Sequence, residues 1–129
     1  MTEPTWVRRD VILAYHDLLL AKHGGSSGIR NEGMLDSALG RPINLFSYEE
    51  PTLFELAASY AFGLIKNHPF VDGNKRIGFA TAVLFLELNE IKFGATEVEV
   101  VLHTLALAAS EMDESAYSDW LEANSNNSQ

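Results

Sequence analysis

The feature that most constrains this chain is a helical run with no polar face. Between Asn74 and Asn89, apolar side chains fall on nearly every side of a helical projection. A helix of this kind must be wrapped by other elements. Its longest apolar stretch, Ile77 to Leu86, is about half the roughly 20 residues that a membrane span needs. The run therefore predicts a helix at the centre of a soluble bundle.

Shorter helical patterns surround this run. Asn31 is a predicted N-cap, and the pairs Thr52/Glu55 and Thr96/Glu99 are predicted capping boxes. The predicted helices cover Trp6–Lys22, Glu32–Leu39, the segment from Thr52 to Lys66, the segment from Thr96 to Ser110, and a last one from Asp113 or Ser115 to Ala123. The sequence thus predicts an all-α fold.

Two segments break the helical pattern. Gly40 and Pro42 are read as the end of the second helix, and Ile43–Glu50 is predicted to be a short extended flap. The polar segment 124–129 is predicted to be a disordered tail. Residues 1–123 are then expected to form a single domain.

Composition excludes several classes of protein. The chain has 129 residues, of which 47% are apolar, which is enough to fill a core. Its 18 acidic and 9 basic side chains give a net charge of −9, so direct DNA binding is not expected. It has no cysteine and no predicted signal peptide or membrane span. We expect a cytoplasmic protein.

The chemistry is concentrated in the segment Asn67-His-Pro-Phe-Val-Asp-Gly-Asn-Lys-Arg76. Breaks in helical geometry on both sides place His68 on a loop of fixed direction, where an imidazole can act as a general base. Phe70 is the predicted anchor of this loop in the core. Asp72 can hold Mg²⁺, which takes one or two protein carboxylates and keeps several waters.

The same segment contains a predicted phosphate cradle. Gly73, Asn74 and Lys75 supply backbone N–H groups at the start of the central helix, where the helix dipole favours an anion. Lys75 and Arg76 add positive charge beside those groups. A base, a metal-binding carboxylate and a phosphate cradle within nine residues predict a nucleotide-dependent transferase.

Other polar residues are weaker candidates. Arg41 precedes the predicted flap and is a possible substrate or nucleotide contact, and Asn44 lies on the flap, which we expect to align an extended target segment by strand addition. His16 and His23 are predicted to be surface residues, and His103 to be packed. The acidic run Glu111–Glu114 is predicted to be a solvated face.

The pattern His68-x-Phe70-x-Asp72-Gly73-Asn74-x-Arg76 resembles the signature of the Fic/Doc family. The segments Gly24–Arg30 and Glu32–Arg41 and the pair Trp120-Leu121 resemble its death-on-curing (Doc) branch. The likeness covers about residues 8 to 122. It implies a Fic-type helical bundle and a bacterial toxin that is made together with an antitoxin.

Two positions depart from the Fic proteins that transfer AMP. Lys75 occupies the slot of a second glycine, and Phe79 stands where a second arginine would clamp the γ-phosphate. In the similar Doc branch the nucleotide binds reversed. The resemblance therefore implies a protein kinase that uses ATP and Mg²⁺ to modify a Ser or Thr of a Tu-type translation elongation factor and halts growth. Two alternatives stay open: nucleotidyl transfer, since Gly73 is the small residue of AMP transferases, and a non-catalytic module that only binds the antitoxin.

The sequence also predicts how the activity of the chain is inhibited. Many Fic proteins inhibit themselves through a Ser/Thr-x-x-x-Glu-Gly/Asn helix, and no segment here matches it. We therefore expect a cognate antitoxin to inhibit the chain in trans. Its amphipathic helical segment is expected in a groove between the first helix and the Glu97–Ser110 helix. Because the chain carries −9, basic residues are expected on the polar face of that segment.

Overall fold

A computed structural model describes residues 2–127 of the chain. The helices are α1 (Arg9–His23), α2 (Glu32–Tyr48), α3 (Leu53–Asn67), α4 (Asn74–Leu88), α5 (Glu97–Ala108) and α6 (Glu114–Ala123). Two short strands, β1 (Ile91–Phe93) and β2 (Ser125–Asn127), pair antiparallel with Lys92 opposite Asn126. The predicted all-α fold is confirmed. No helix of the described range is long and apolar enough to cross a bilayer.

The centre of the bundle is a pair of helices rather than α4 alone. α3 packs against α4, α2 and α6, and it contributes more buried residues than α4 does. Gly78 permits the close approach of α4 to α3, since a Cβ at this position would lie 2.7 Å from Cγ1 of Ile65. α1 and α5 pack against α4 from outside. The motif segment therefore connects the two central helices.

Four predicted helix starts, those of α2, α3, α5 and α6, are confirmed by their caps. The first helix begins at Arg9 rather than at the predicted Trp6, and it has no side-chain cap. Thr52 and Glu55 form a reciprocal capping box, and the hydroxyl of Thr96 accepts from the Glu99 N–H at 3.2 Å. Asn31 caps α2 and Asp113 caps α6 in the same way. Each cap satisfies backbone donors that a helix leaves unpaired at its start. Local sequence therefore determines where these helices begin.

The predicted extended flap is wrong, because residues 43–48 continue α2 as a helix. Pro42 lacks the N–H that would bond to the Ala38 carbonyl, a loss that commonly ends a helix. The helix continues because Leu45 and Phe46 pack against the core, and Phe46 meets the Trp6 ring edge-on at 5.7 Å. Tertiary burial outweighs the local preference.

The predicted tail is wrong for residues 125–127, which form β2. Without β2, the backbone groups along this edge of β1 would lack partners. Residues 125–127 run back antiparallel to β1 and pair with them. The Gly94 N–H donates to the Asn124 carbonyl at 2.9 Å, and the Ser125 hydroxyl donates to the Leu121 carbonyl at 2.6 Å. Residues 128 and 129, which belong to the same predicted tail, lie outside the described range.

Candidate active site

The loop between α3 and α4 is anchored as predicted. Phe70 is fully buried, and its ring stacks on the imidazole of His16 with centroids 3.8 Å apart. His68 ends α3 in a left-handed conformation, with φ 51° and ψ 54°, and its side chain is exposed. The loop is therefore fixed by a buried aromatic ring while the candidate base remains accessible.

Asn74 holds this loop closed through its side chain. Its Oδ1 accepts from the Phe70 N–H at 3.0 Å, and its Nδ2 donates to the Phe70 carbonyl at 3.0 Å. Asn74 is buried, so both bonds are protected from water. Its side chain is thus engaged within the loop, and only its backbone N–H belongs to the predicted cradle.

The start of α4 has no side-chain cap. Gly73 occupies the N-cap position with φ 79°, a left-handed conformation that favours glycine, and no acidic residue lies in the first turn. By contrast α2, α3, α5 and α6 each carry a capping side chain. Uncapped N–H groups and the helix dipole make this end a suitable place for an anion.

Asp72 lies immediately before this helix start and is exposed. Its Oδ1 accepts from the Gly73 N–H at 2.9 Å and its Oδ2 from the Ser26 N–H at 3.3 Å. No group of three or more His, Asp or Glu side chains able to hold a metal occurs among residues 2–127. A single carboxylate beside a phosphate cradle fits Mg²⁺, which shares its coordination between protein, phosphate and water.

Lys75 and Arg76 are exposed and form no ion pair within the described residues. Arg8, Arg9 and Arg41 instead pair with carboxylates. Lys22, Arg30, Lys66 and Lys92 also form no ion pair among the residues that the structure describes, but Lys75 and Arg76 are adjacent and concentrate two positive charges in one helical turn. They favour phosphate at the start of α4.

These groups open onto one cleft of about 580 Å³. His68, Asp72 and the residues 73–76 line it together with side chains of α1, α4 and α5. Of the latter, His23, Glu87, Glu97 and Thr104 are polar, and the others are apolar. Among these apolar residues are Tyr15, Leu19, Phe79, Val83, Val101 and Leu105. The predicted groove between the first helix and the Glu97–Ser110 helix is thereby confirmed, with α4 as its floor.

Arg41 and Asn44 are not among the residues that line this cleft. Arg41 donates to both carboxylate oxygens of Glu114 at 2.8 and 2.7 Å, and its guanidinium lies 4.6 Å from the centroid of the Phe62 ring. Glu114 is therefore a partly buried ion-pair partner, which corrects its assignment to a solvated face. Asn44 is exposed on α2, and its carbonyl accepts from Ser47 at 2.8 Å.

His16 is a site residue that sequence reasoning missed, since it was expected at the surface. It is only 2% exposed, and its Nε2 lies 2.8 Å from the Asp72 carbonyl oxygen, to which it donates. The sequence contains one signal, since His16 lies four residues after the apolar Ile12 and so shares its helix face. In the structure both residues are buried. His103 is packed as predicted, with its ring stacked on Trp120 at 4.5 Å.

Comparison with known proteins agrees with this geometry. The model of the Fic/DOC family matches residues 6–86, and the chain belongs to that family. Protein kinase doc of Escherichia phage P1 is 33% identical over 112 residues, which cover 85% of this chain and 87% of the relative. Toxin Doc of Mycolicibacterium smegmatis is 38% identical over 74 residues, covering 56% of this chain and 57% of the relative.

Proposed function

We propose that this protein is a Doc-like toxin that transfers the γ-phosphoryl group of ATP to a Ser or Thr hydroxyl of a protein. The observation that carries the proposal is that His68 lines the same cleft as the uncapped start of α4. A base and an anion site are two of the components that proteins use for phosphoryl transfer. The name of the phage P1 relative supports the assignment.

In this mechanism each group has one role. His68 takes the proton of the attacking hydroxyl as its oxygen bonds to the γ-phosphorus, while the bond to the β-phosphate oxygen breaks and ADP leaves. The backbone N–H groups of Asn74 and Lys75, with the Lys75 and Arg76 side chains, stabilise the charge on the transferred group, while the Gly73 N–H stays bound to the Asp72 carboxylate. Asp72 would hold Mg²⁺, which neutralises phosphate charge when bound. We propose the cytoplasm as the compartment, and a Tu-type elongation factor as the target.

The donor group can be determined directly. Purified protein is incubated with a bacterial lysate, or with a purified Tu-type elongation factor, and with ATP labelled at either the γ- or the α-phosphate. We expect protein-bound label from the γ-position alone, and none with a His68→Asn variant. Label from the α-position alone would establish nucleotidyl transfer instead. No label from either would leave the chain a binding module.

The inhibitor is proposed to bind along the same cleft. On α5 the residues Val98, Val101, Leu102 and Leu105 are 67%, 48%, 60% and 47% exposed and follow the i, i+3, i+4, i+7 spacing. Val101 and Leu105 also line the cleft. An amphipathic helix of an antitoxin would bury these apolar side chains, as helices do in hydrophobic grooves. The name of the Mycolicibacterium smegmatis relative, Toxin Doc, supports a partner of this kind.

The inhibitor proposal has a test of its own. A Leu105→Asp variant should bind a co-expressed inhibitor at least roughly tenfold more weakly, since it places a charge in the apolar contact. An Ile43→Asp variant is the control, because Ile43 is 45% exposed but does not line the cleft. Calorimetry on the purified pairs gives both affinities. Equal affinities for the two variants would place the inhibitor elsewhere.

A further inference from the structure

The backbone of His68 requires external support. Its φ of 51° lies in the left-handed region, which a residue with a side chain seldom occupies unless its surroundings enforce it. His68 also ends α3, where the last carbonyl groups of a helix lack partners within the helix. The direction of its imidazole therefore depends on what holds these carbonyls.

Arg30 supplies that support. Its Nε donates to the His68 carbonyl at 2.7 Å, and its Nη2 donates to the Asn67 carbonyl at 2.9 Å. The planar guanidinium fixes two successive carbonyls at once, and its charge complements the negative end of the α3 dipole. Both of its described side-chain hydrogen bonds thus go to the end of α3.

The segment around Arg30, residues 24–31, binds the motif loop along its length and is here called the strap. The Arg30 and Asn31 N–H groups donate to the Pro69 carbonyl at 2.7 and 3.1 Å, and the Val71 N–H donates to the Gly28 carbonyl at 3.0 Å. At the other end of the strap, a Cβ on Gly25 would lie 2.9 Å from Oδ2 of Asp72. One segment therefore contacts the residues next to both the base and the metal-binding carboxylate.

We infer that Arg30 is a positioning residue, which acts through the His68 backbone to aim the imidazole into the cleft. This inference rests on the proposed function for its effect on rate. Its structural part is independent, because it concerns only the conformation of the loop. Arg30 is exposed, so its removal takes no side chain from the core.

The test compares Arg30→Ala, Arg30→Lys and a control, Arg9→Ala. Arg9 is also exposed and links two helices through ion pairs to Glu32 and Asp36, and none of its described hydrogen bonds or ion pairs goes to the strap or the loop. We expect Arg30→Ala to lower the transfer rate at saturating ATP by roughly tenfold or more, because small misplacements of a catalytic group are costly. The Kd for ATP should change less than twofold, since the α4 amides remain. Arg30→Lys should recover only part of the rate, as an ammonium lacks the planar fork.

A spectroscopic readout separates this inference from the proposed function. In Arg30→Ala we expect the imidazole NMR signals of His68 to shift and the amides of Phe70 and Val71 to exchange faster. If the wild type transfers no phosphoryl group, the proposed function fails, while these signals still decide the positioning role. The positioning role of Arg30 would be overturned by unchanged His68 signals and unchanged amide exchange in Arg30→Ala. An equal loss of transfer rate in Arg9→Ala would also overturn it.

Discussion

Two helices of this protein begin in opposite ways. At the start of α6, the Asp113 side chain accepts from the Ala116 N–H at 2.8 Å, and Glu114 binds the Arg41 guanidinium through both oxygens. At the start of α4, no side chain caps the helix, and neither Lys75 nor Arg76 forms an ion pair within residues 2–127. The start of α6 is capped from within the fold, whereas at α4 only the Gly73 N–H is bound, by Asp72, and the N–H groups of the first turn are left for a ligand.

The difference explains why cationic residues of similar appearance in the sequence differ in role. Arg41 was a candidate contact for a nucleotide, as were Lys75 and Arg76. In the fold Arg41 joins α2 to α6, and it also donates to the Ser59 hydroxyl on α3 at 3.2 Å. We therefore propose that Lys75 and Arg76, which form no ion pair among residues 2–127, contribute to binding, and we expect Arg41 to contribute to stability.

The largest effect is expected from replacing the base beside the open helix start. His68→Ala should lower the rate of phosphoryl transfer at least about 100-fold, because a general base contributes 10²–10⁴ in rate. His68→Asn should lose as much, although asparagine tolerates the left-handed backbone better than alanine does. Initial rates with γ-labelled ATP measure both. A rate within tenfold of the wild type in either variant would contradict the role of His68.

At high pH, the free energy of unfolding should depend on a buried tyrosine of α6. Burial raises the pKa of Tyr117, on α6, from its ordinary value of 10.0 to about 12. In the unfolded chain this hydroxyl ionises near pH 10, so the unfolded state binds fewer protons than the folded one above that pH. The free energy of unfolding should therefore fall between pH 10 and 12, by an amount on the order of 2–3 kcal/mol from this group.

Urea titrations at pH 9, 10, 11 and 12 would measure this fall. Tyr117→Phe is the matched control, because it keeps the ring and removes the ionisable group, which hydrogen-bonds Thr104 at 3.0 Å. The variant should retain the part of the fall that comes from Tyr60, whose pKa is also raised by burial. An identical decline in wild type and variant would show that Tyr117 does not contribute.

A smaller effect is expected from breaking the ion pair at the start of α6. Arg41→Ala should lower the free energy of unfolding by about 1–2 kcal/mol, as it leaves the partly buried Glu114 without its charged partner. The transfer rate and the Kd for ATP should remain those of the wild type. A double-mutant cycle with Glu114→Gln isolates the pairwise energy. A loss of ATP affinity with unchanged stability would show that Arg41 binds the nucleotide. It would then have the same role as Lys75 and Arg76.

Features that depend only on residues close together in the chain could be predicted from the sequence. Capping side chains such as Thr52 and Asp113 identified helix starts, and the spacing of His68, Asp72 and Gly73 predicts the candidate site, whose residues line one cleft in the fold. The failures each depend on a distant partner. The strand at residues 125–127 needs β1, and the helix beyond Pro42 needs the burial of Leu45 and Phe46. His16 acquires its role only when α1 meets a carbonyl 56 residues away.

The smallest effect, and the most informative about the open helix start, is expected from Lys75. Lys75→Ala removes one unpaired cation beside the α4 amides and should lower γ-phosphoryl transfer about tenfold, the value of one charge-assisted contact. Lys75→Gly removes the same charge and also the bulk next to those amides, and it should admit the nucleotide in the opposite orientation. Label from α-labelled ATP should then appear on the target with Lys75→Gly and not with Lys75→Ala. Wild-type rates with γ-labelled ATP in both variants, and no α-label in either, would show that this side chain neither binds the phosphates nor selects the transferred group.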